Sequence, residues 1–136
     1  MFKTVLFPID MSPEAQQAAS VAITLVKTFG SRLTLLSVIE TADAESADAH
    51  SAQASPDVVA NLLTKAQTLF SEQGIESEVM ERQGQPAFVI CDVADDIGAD
   101  LIVMGCRGLG LIEDSRADSV SNRVINLAPC PVLVVP

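Results

Sequence analysis

Four short runs hold almost nothing but aliphatic side chains: KTVLFPI (3–9), RLTLLSVI (32–39), DLIVM (100–104) and the closing PCPVLVVP (129–136). A strand with one face in water alternates apolar and polar residues, whereas a strand covered on both faces does not. These runs predict strands of a parallel sheet buried between layers, with DLIVM the most hydrophobic and central. A fifth stretch, IESEVME (75–81), does alternate, as an edge strand does.

Helical patterns fill the intervals. Ser12 can cap, Pro13 fits the first helical position and Glu14 favours the positive helix start. Ala15, Ala18, Ala19, Ala22, Leu25, Val26 and Phe29 then form one stripe, and Gly30 ends it. Ser55, Pro56 and Asp57 repeat the start signal; Val59, Leu62, Leu63, Ala66 and Phe70 make the buried face, and Gly74 closes the helix. QPAFVICDVADDIG turns Ile90, Val93, Ala94 and Ile97 inward and stops at Gly98, and SVSNRVINLA is a short last helix. The segment 40–55 is rich in Ala, Ser and acids and lacks any useful period, so it reads as a mobile acidic loop. The order β-α-β-α-β-α-β-α-β, with right-handed crossovers, predicts a single α/β domain over 1–136, a parallel sheet with helices on both faces. Ligands of such sheets bind beyond the carboxyl ends of the strands, where strand order reverses.

Composition narrows the functions. The formal net charge of −10 opposes binding to nucleic acid or anionic lipid. No apolar run approaches the roughly 18 residues of a membrane span. MFKTVLFPID is a poor signal peptide, since Pro8 and Asp10 interrupt it, so a soluble cytoplasmic protein without membrane insertion is expected. Cys91, Cys106 and Cys130 form no C-x-x-C, and the single histidine, His50, lies in the acidic loop. Cys91 and Cys130 read as core. A zinc site or a Ser-His-Asp triad has little to build on. There is no G-x-x-x-x-G-K-[ST] and no glycine cluster after the first strand, which sets aside a P-loop NTPase and a dinucleotide-binding domain. No base stands positioned beside a nucleophile, so the expected limit of catalysis is slow hydrolysis of a bound nucleotide.

The loop after DLIVM holds the remaining chemistry. Gly105 and Gly108 bare the backbone to a ligand, Arg107 can pair with a phosphate, and Ser119 and Ser121 add hydroxyls at the start of the last helix, whose free N–H groups favour anions. Asp118 works against this. As an N-cap it is worth about 0.5–2 kcal/mol to the helix, and it would accept the same N–H groups. Its charge, about 4 Å from a phosphate oxygen, would cost about 4 kcal/mol at an effective dielectric near 20.

Through VLFPID, GADLIVMGCRGLG and SVSNRVINLAPCPVLVVP the chain resembles the universal stress protein family. That resemblance implies a Rossmann-like, adenine nucleotide alpha hydrolase-like fold: five strands in the order 3-2-1-4-5, with a homodimer formed through the C-terminal strand. The family's nucleotide-binding branch carries G-x2-G-x9-G-[ST]. Laid on this chain, Gly105, Gly108 and Ser119 match, and Asp118 stands where the third glycine would be. The resemblance then implies ATP or AMP with its base and ribose at Pro8, Ile9, Asp10, Val38, Met104 and Gly105. Its phosphates would meet Arg107, Gly108, Ser119, Val120 and Ser121, with Mg2+ held at most through Asp10 or Asp118. Two functions stay open. One is a small stress-response protein whose adenine nucleotide sets its dimer or the surface shown to an unidentified protein partner. The other is a nucleotide-free dimeric interaction module of the same fold, with Asp118 in the phosphate site.

Overall fold

The computed structural model describes residues 2–9, 13–39, 56–105 and 120–136. In chain order the elements are β1 Thr4–Pro8, α1 Pro13–Phe29, β2 Arg32–Ile39, α2 Pro56–Glu72, β3 Ser77–Gln83, α3 Pro86–Ile97, β4 Leu101–Gly105, α4 Val120–Leu127 and β5 Val132–Val135. Three helices open on a proline, whose missing N–H costs nothing in a first turn. At the far end of α3, Gly98 sits at φ 67° and its N–H closes on the Ala94 and Asp95 carbonyls.

The sheet order is β3-β2-β1-β4-β5 and every pairing is parallel. The middle strand is therefore β1, and β4, which carries DLIVM, is interior but one place from the centre. β3 is an edge, as its alternation requires. It starts later than the sequence suggests, because Ile75 belongs to the end of α2. The Ile75 N–H donates to the Phe70 carbonyl at 2.9 Å, and its side chain is buried.

Alternate residues of each strand feed two cores. Val5, Phe7, Leu33, Leu35, Leu101 and Val103 meet Ala18, Ala22 and Val26 of α1 and Leu63 and Phe70 of α2. The alanines let α1 lie close to the sheet, and Phe7 and Phe70 fill the remaining depth edge to face at 6.0 Å. On the other side Leu6, Leu36, Ile102 and Met104 meet Ala87, Ile90, Val93 and Ala94 of α3 and Val124 of α4. Phe29 departs from the expected stripe. It is the last residue of α1, past the cover of the sheet, and remains exposed, with Phe2 edge-on at 5.3 Å. Cys91 is buried as expected, while Cys130 is only half-buried. Ala15 and Val59 fall outside the described side chains, and the acidic segment 40–55 lies outside the described residues.

Candidate functional site

Among the described residues the carboxyl edge of the sheet is notched at β1, and the reason lies in backbone pairing. Polar groups of successive residues in a strand point to opposite neighbours. The Arg32 N–H donates to the Lys3 carbonyl and the Ile9 N–H to the Leu36 carbonyl, both at 2.8 Å, so odd-numbered residues of β1 face β2. The Asp100 N–H donates to the Thr4 carbonyl at 2.7 Å, so even-numbered residues face β4. The β1–β4 ladder ends with Leu6 opposite Ile102. Its next bond would run from the N–H of residue 8 to the Val103 carbonyl, and proline has none to give. Pro8 thus halts the pairing of β1 with β4, while β4 continues to Gly105 beside Val135.

The other flank also outruns β1. The β1–β2 ladder ends with Pro8 opposite Leu36, yet β2 stays paired with β3 as far as Ile39 opposite Gln83. The Leu36 carbonyl faces β1. By the same alternation, so do the N–H and C=O of Val38. They point along the line of β1 continued beyond Ile9. Two strand spacings separate β2 from β4, so the notch is roughly 10 Å across. Its walls are the ends of these strands, and Pro8 and the buried Ile9 form its base.

The structure thus brings together Pro8, Ile9, Val38, Met104 and Gly105 at one edge. Met104 is fully buried beneath it, and Gly105 is partly open. Val120 and Ser121 begin α4. That helix runs against the strands, because it leads into β5, whose entry residue Pro131 accepts a bond from Ile102 N–H at 3.0 Å. Its N-terminus therefore points to the same edge as the notch. Asp10, Arg107, Gly108, Asp118 and Ser119 lie outside the described residues. The neighbouring of β1 and β4, on which a shared crevice depends, is present.

A further rim element is the turn between β3 and α3. The Gly84 N–H donates to the Ile39 carbonyl at 3.0 Å, which fixes the turn beside Val38. Gly84 has φ 142°, and a Cβ there would come within 2.8 Å of the Val89 side chain. The signal was legible as a glycine two residues before the proline that starts α3.

A cleft of about 750 Å³, lined by Arg32, Gln67, Thr68, Ser71, Glu72 and Ser77 among others, lies at the opposite, amino edge. It is open, and Glu76 and Glu78 add further negative charge. Its three carboxylates, Glu72, Glu76 and Glu78, outnumber Arg32, so the cleft disfavours anions. Burial pushes the Cys91 and Cys130 thiols above their ordinary pKa, and Cys91 Sγ points at the Val124 carbonyl, 4.0 Å away. Both are therefore poor nucleophiles. Among the described residues no group of three His, Cys, Asp or Glu side chains is placed to hold a metal ion, and no helix is long and apolar enough to cross a membrane.

The family model described as "Universal stress protein family" matches residues 1–136. Universal stress protein Sll1654 of Synechocystis sp. is 56% identical over 137 residues, covering 100% of this chain and 87% of that protein. Among solved structures, universal stress protein UspA from Lactobacillus plantarum superposes with a TM-score of 0.82 at 24% identity, covering 99% of this chain and 98% of that one. A universal stress protein in complex with cAMP gives 0.79 at 22% identity, with 99% and 97% coverage. A family member from Arabidopsis thaliana with AMP bound gives 0.72 at 22% identity, with 98% and 90% coverage. The chain belongs to the universal stress protein family.

Proposed function

We propose that the chain is a small cytoplasmic stress-response protein that binds ATP or a related adenine nucleotide in the notch at the end of β1. It acts as a homodimer joined through β5, and occupancy changes the surface offered to a protein partner. The observation that carries this reading is the backbone of Val38. One donor and one acceptor stand side by side where β1 no longer pairs. The Watson–Crick edge of adenine carries the complementary pair, N1 as acceptor and the N6 amino group as donor. The base would lie in the gap as a strand would, with Ile9 and Met104 supplying apolar contact. Ribose would sit against Asp10 and Gly105. The phosphates would run over Arg107 and Gly108 to Ser119, Val120 and Ser121, where the N–H groups and positive end of α4 favour negative charge. Fold relatives that hold cAMP and AMP support the choice of an adenine ligand.

Binding, not turnover, is the expected activity. No described side chain is placed as a base next to a nucleophile, and a bound ATP would hydrolyse slowly at most. Any Mg2+ would arrive with the nucleotide, with Asp10 or Asp118 as an outer ligand.

Titration calorimetry with ATP, ADP, AMP, cAMP and GMP, each with and without Mg2+, tests this. The expected result is binding of at least one adenine nucleotide, with AMP favoured over GMP by at least about tenfold, since a site built on fixed hydrogen bonds rejects a mismatched edge. Failure of every adenine nucleotide to bind would favour the second reading, which rests on Asp118 at the third glycine position. There the protein is a nucleotide-free dimeric interaction module whose own carboxylate holds the N–H groups of α4.

A further inference from the structure

We infer that Gly84 positions the Val38 backbone for the base, and so decides how well the notch tells adenine from guanine. The inference rests on the reading that a base pairs with that backbone. By the alternation along β2, residues 36 and 38 face β1 and residues 37 and 39 face β3. The pairing of β2 with β1 stops at Leu36, whereas its pairing with β3 runs on to Ile39 opposite Gln83. Past Leu36, β2 therefore has a strand on one side only. Its outermost tie among the described residues is the Gly84 N–H, which donates to the Ile39 carbonyl at 3.0 Å from one residue beyond β3. Val38 is the next residue inward, so the line of its N–H and C=O depends on whether Ile39 is held.

Glycine makes this tie where another residue would disturb it. Its φ of 142° is a backbone conformation that L side chains rarely adopt. A Cβ there would also stand 2.8 Å from Val89 Cγ2. Val89 is not free to yield. Its N–H donates to the Gln85 carbonyl at 2.9 Å, in the first turn of α3, and its side chain packs partly buried against the core that holds Leu36 and Met104. A β-branched side chain in a helix strongly prefers one χ1, so Cγ2 does not swing aside. With a larger residue at 84 the turn must move, and its bond to Ile39 with it. Adenine is the base that suffers. Its N1 accepts and its N6 amino group donates, matching the N–H and C=O of one fixed residue. Guanine presents the reverse, with N1–H donating and O6 accepting. A fixed pair of groups rejects the reversed edge, and a strand end free to shift does not.

The test is calorimetry of the full chain with AMP and GMP for wild type, Gly84→Ala, the double variant Gly84→Ala with Val89→Ala, and Gly98→Ala. Gly98 also has a positive φ, 67°, but it follows α3 at the amino edge with nothing within 4 Å of a Cβ, so its substitution costs stability without touching the notch. AMP affinity should fall about tenfold in G84A, the cost of a misplaced hydrogen-bonding pair, while GMP changes by less than about twofold. The preference for AMP should keep its wild-type value in G98A. The double variant should recover part of it, because the clash is gone and only the backbone strain remains. The residue-84 amide, which reports the tie itself, should exchange faster in G84A than in G98A. If Gly84→Ala does not fold, the double variant takes its place: a preference below wild type supports the inference and an unchanged one overturns it. An unchanged preference in G84A, or an equal loss in G98A, would overturn the inference while leaving nucleotide binding intact. A wild-type protein that bound neither nucleotide would overturn the binding reading itself, and this inference with it.

Discussion

On the proposed reading, the carboxylate of Asp118, two residues before α4 in the sequence, opposes a phosphate at the helix start, and its removal weighs that repulsion. Replacing Asp118 with glycine restores the family motif and removes the repulsion. Screening reduces the roughly 4 kcal/mol of the unscreened pair, and an affinity gain for ATP of about tenfold is expected by calorimetry. Glycine is itself a fair N-cap, so the stability of the chain should fall by only a few tenths of a kcal/mol. Unchanged or weaker ATP binding would count against the repulsion. At the other edge Asp100 has a purely structural task. Its carboxylate accepts the Lys3 N–H at 2.8 Å and the Thr4 N–H at 3.3 Å, while its own N–H donates to the Thr4 carbonyl. Asp100→Ala leaves two donors at the start of β1 without the carboxylate. It should lower the urea midpoint by the equivalent of about 1–3 kcal/mol, with ATP affinity unchanged because the notch lies at the far end of the strand.

At the level of elements, what the sequence made legible was what one residue type decides locally. The proline starts of α1, α2 and α3, the glycine stop of α3, and the choice between covered and edge strands all follow from such local rules. Ile75 departs from its expected strand because an apolar residue after a glycine serves the end of a helix as readily as the start of a strand. Phe29 is exposed because periodicity assigns a face but not the place where the sheet beneath it ends. The bond count around Pro8 needed the register of two ladders, which no single segment contains. It yields a direct test. Pro8→Ala supplies the N–H that the β1–β4 ladder lacks and allows a bond to the Val103 carbonyl. The added bond should slow amide exchange at residue 8 and draw β1 and β4 together at their carboxyl ends. Nucleotide affinity should then fall about fivefold or more, with stability unchanged or raised, since a net backbone hydrogen bond contributes about 1 kcal/mol. Full affinity with a protected amide at residue 8 would separate the notch from the binding site.

For the whole molecule, the two edges of the sheet are protected differently. β3 carries Glu78, Glu81 and Arg82, charges that discourage a second sheet from docking. β5 is Val132–Val135 without a charge, and Leu133 on it is 36% exposed, with Ile125 and Leu127 of α4 exposed as well. An uncharged edge beside exposed apolar side chains is a template for pairing, and two copies related by a two-fold axis would cover it completely. Opposing this is the charge of −10 on each chain, which a dimer brings together. Salt screens that repulsion, with a Debye length of about 8 Å at physiological ionic strength, and leaves apolar burial untouched. Sedimentation should therefore find a dimer that tightens as salt rises from low concentration, and a melting temperature that climbs with protein concentration. Leu133→Lys places a charge in the centre of the paired strands. It should give a folded monomer whose melting temperature no longer depends on concentration. A wild-type chain that stays monomeric at high concentration and moderate salt would show that β5 is not a self-pairing edge. A Leu133→Lys protein that remained dimeric would move the interface to another face.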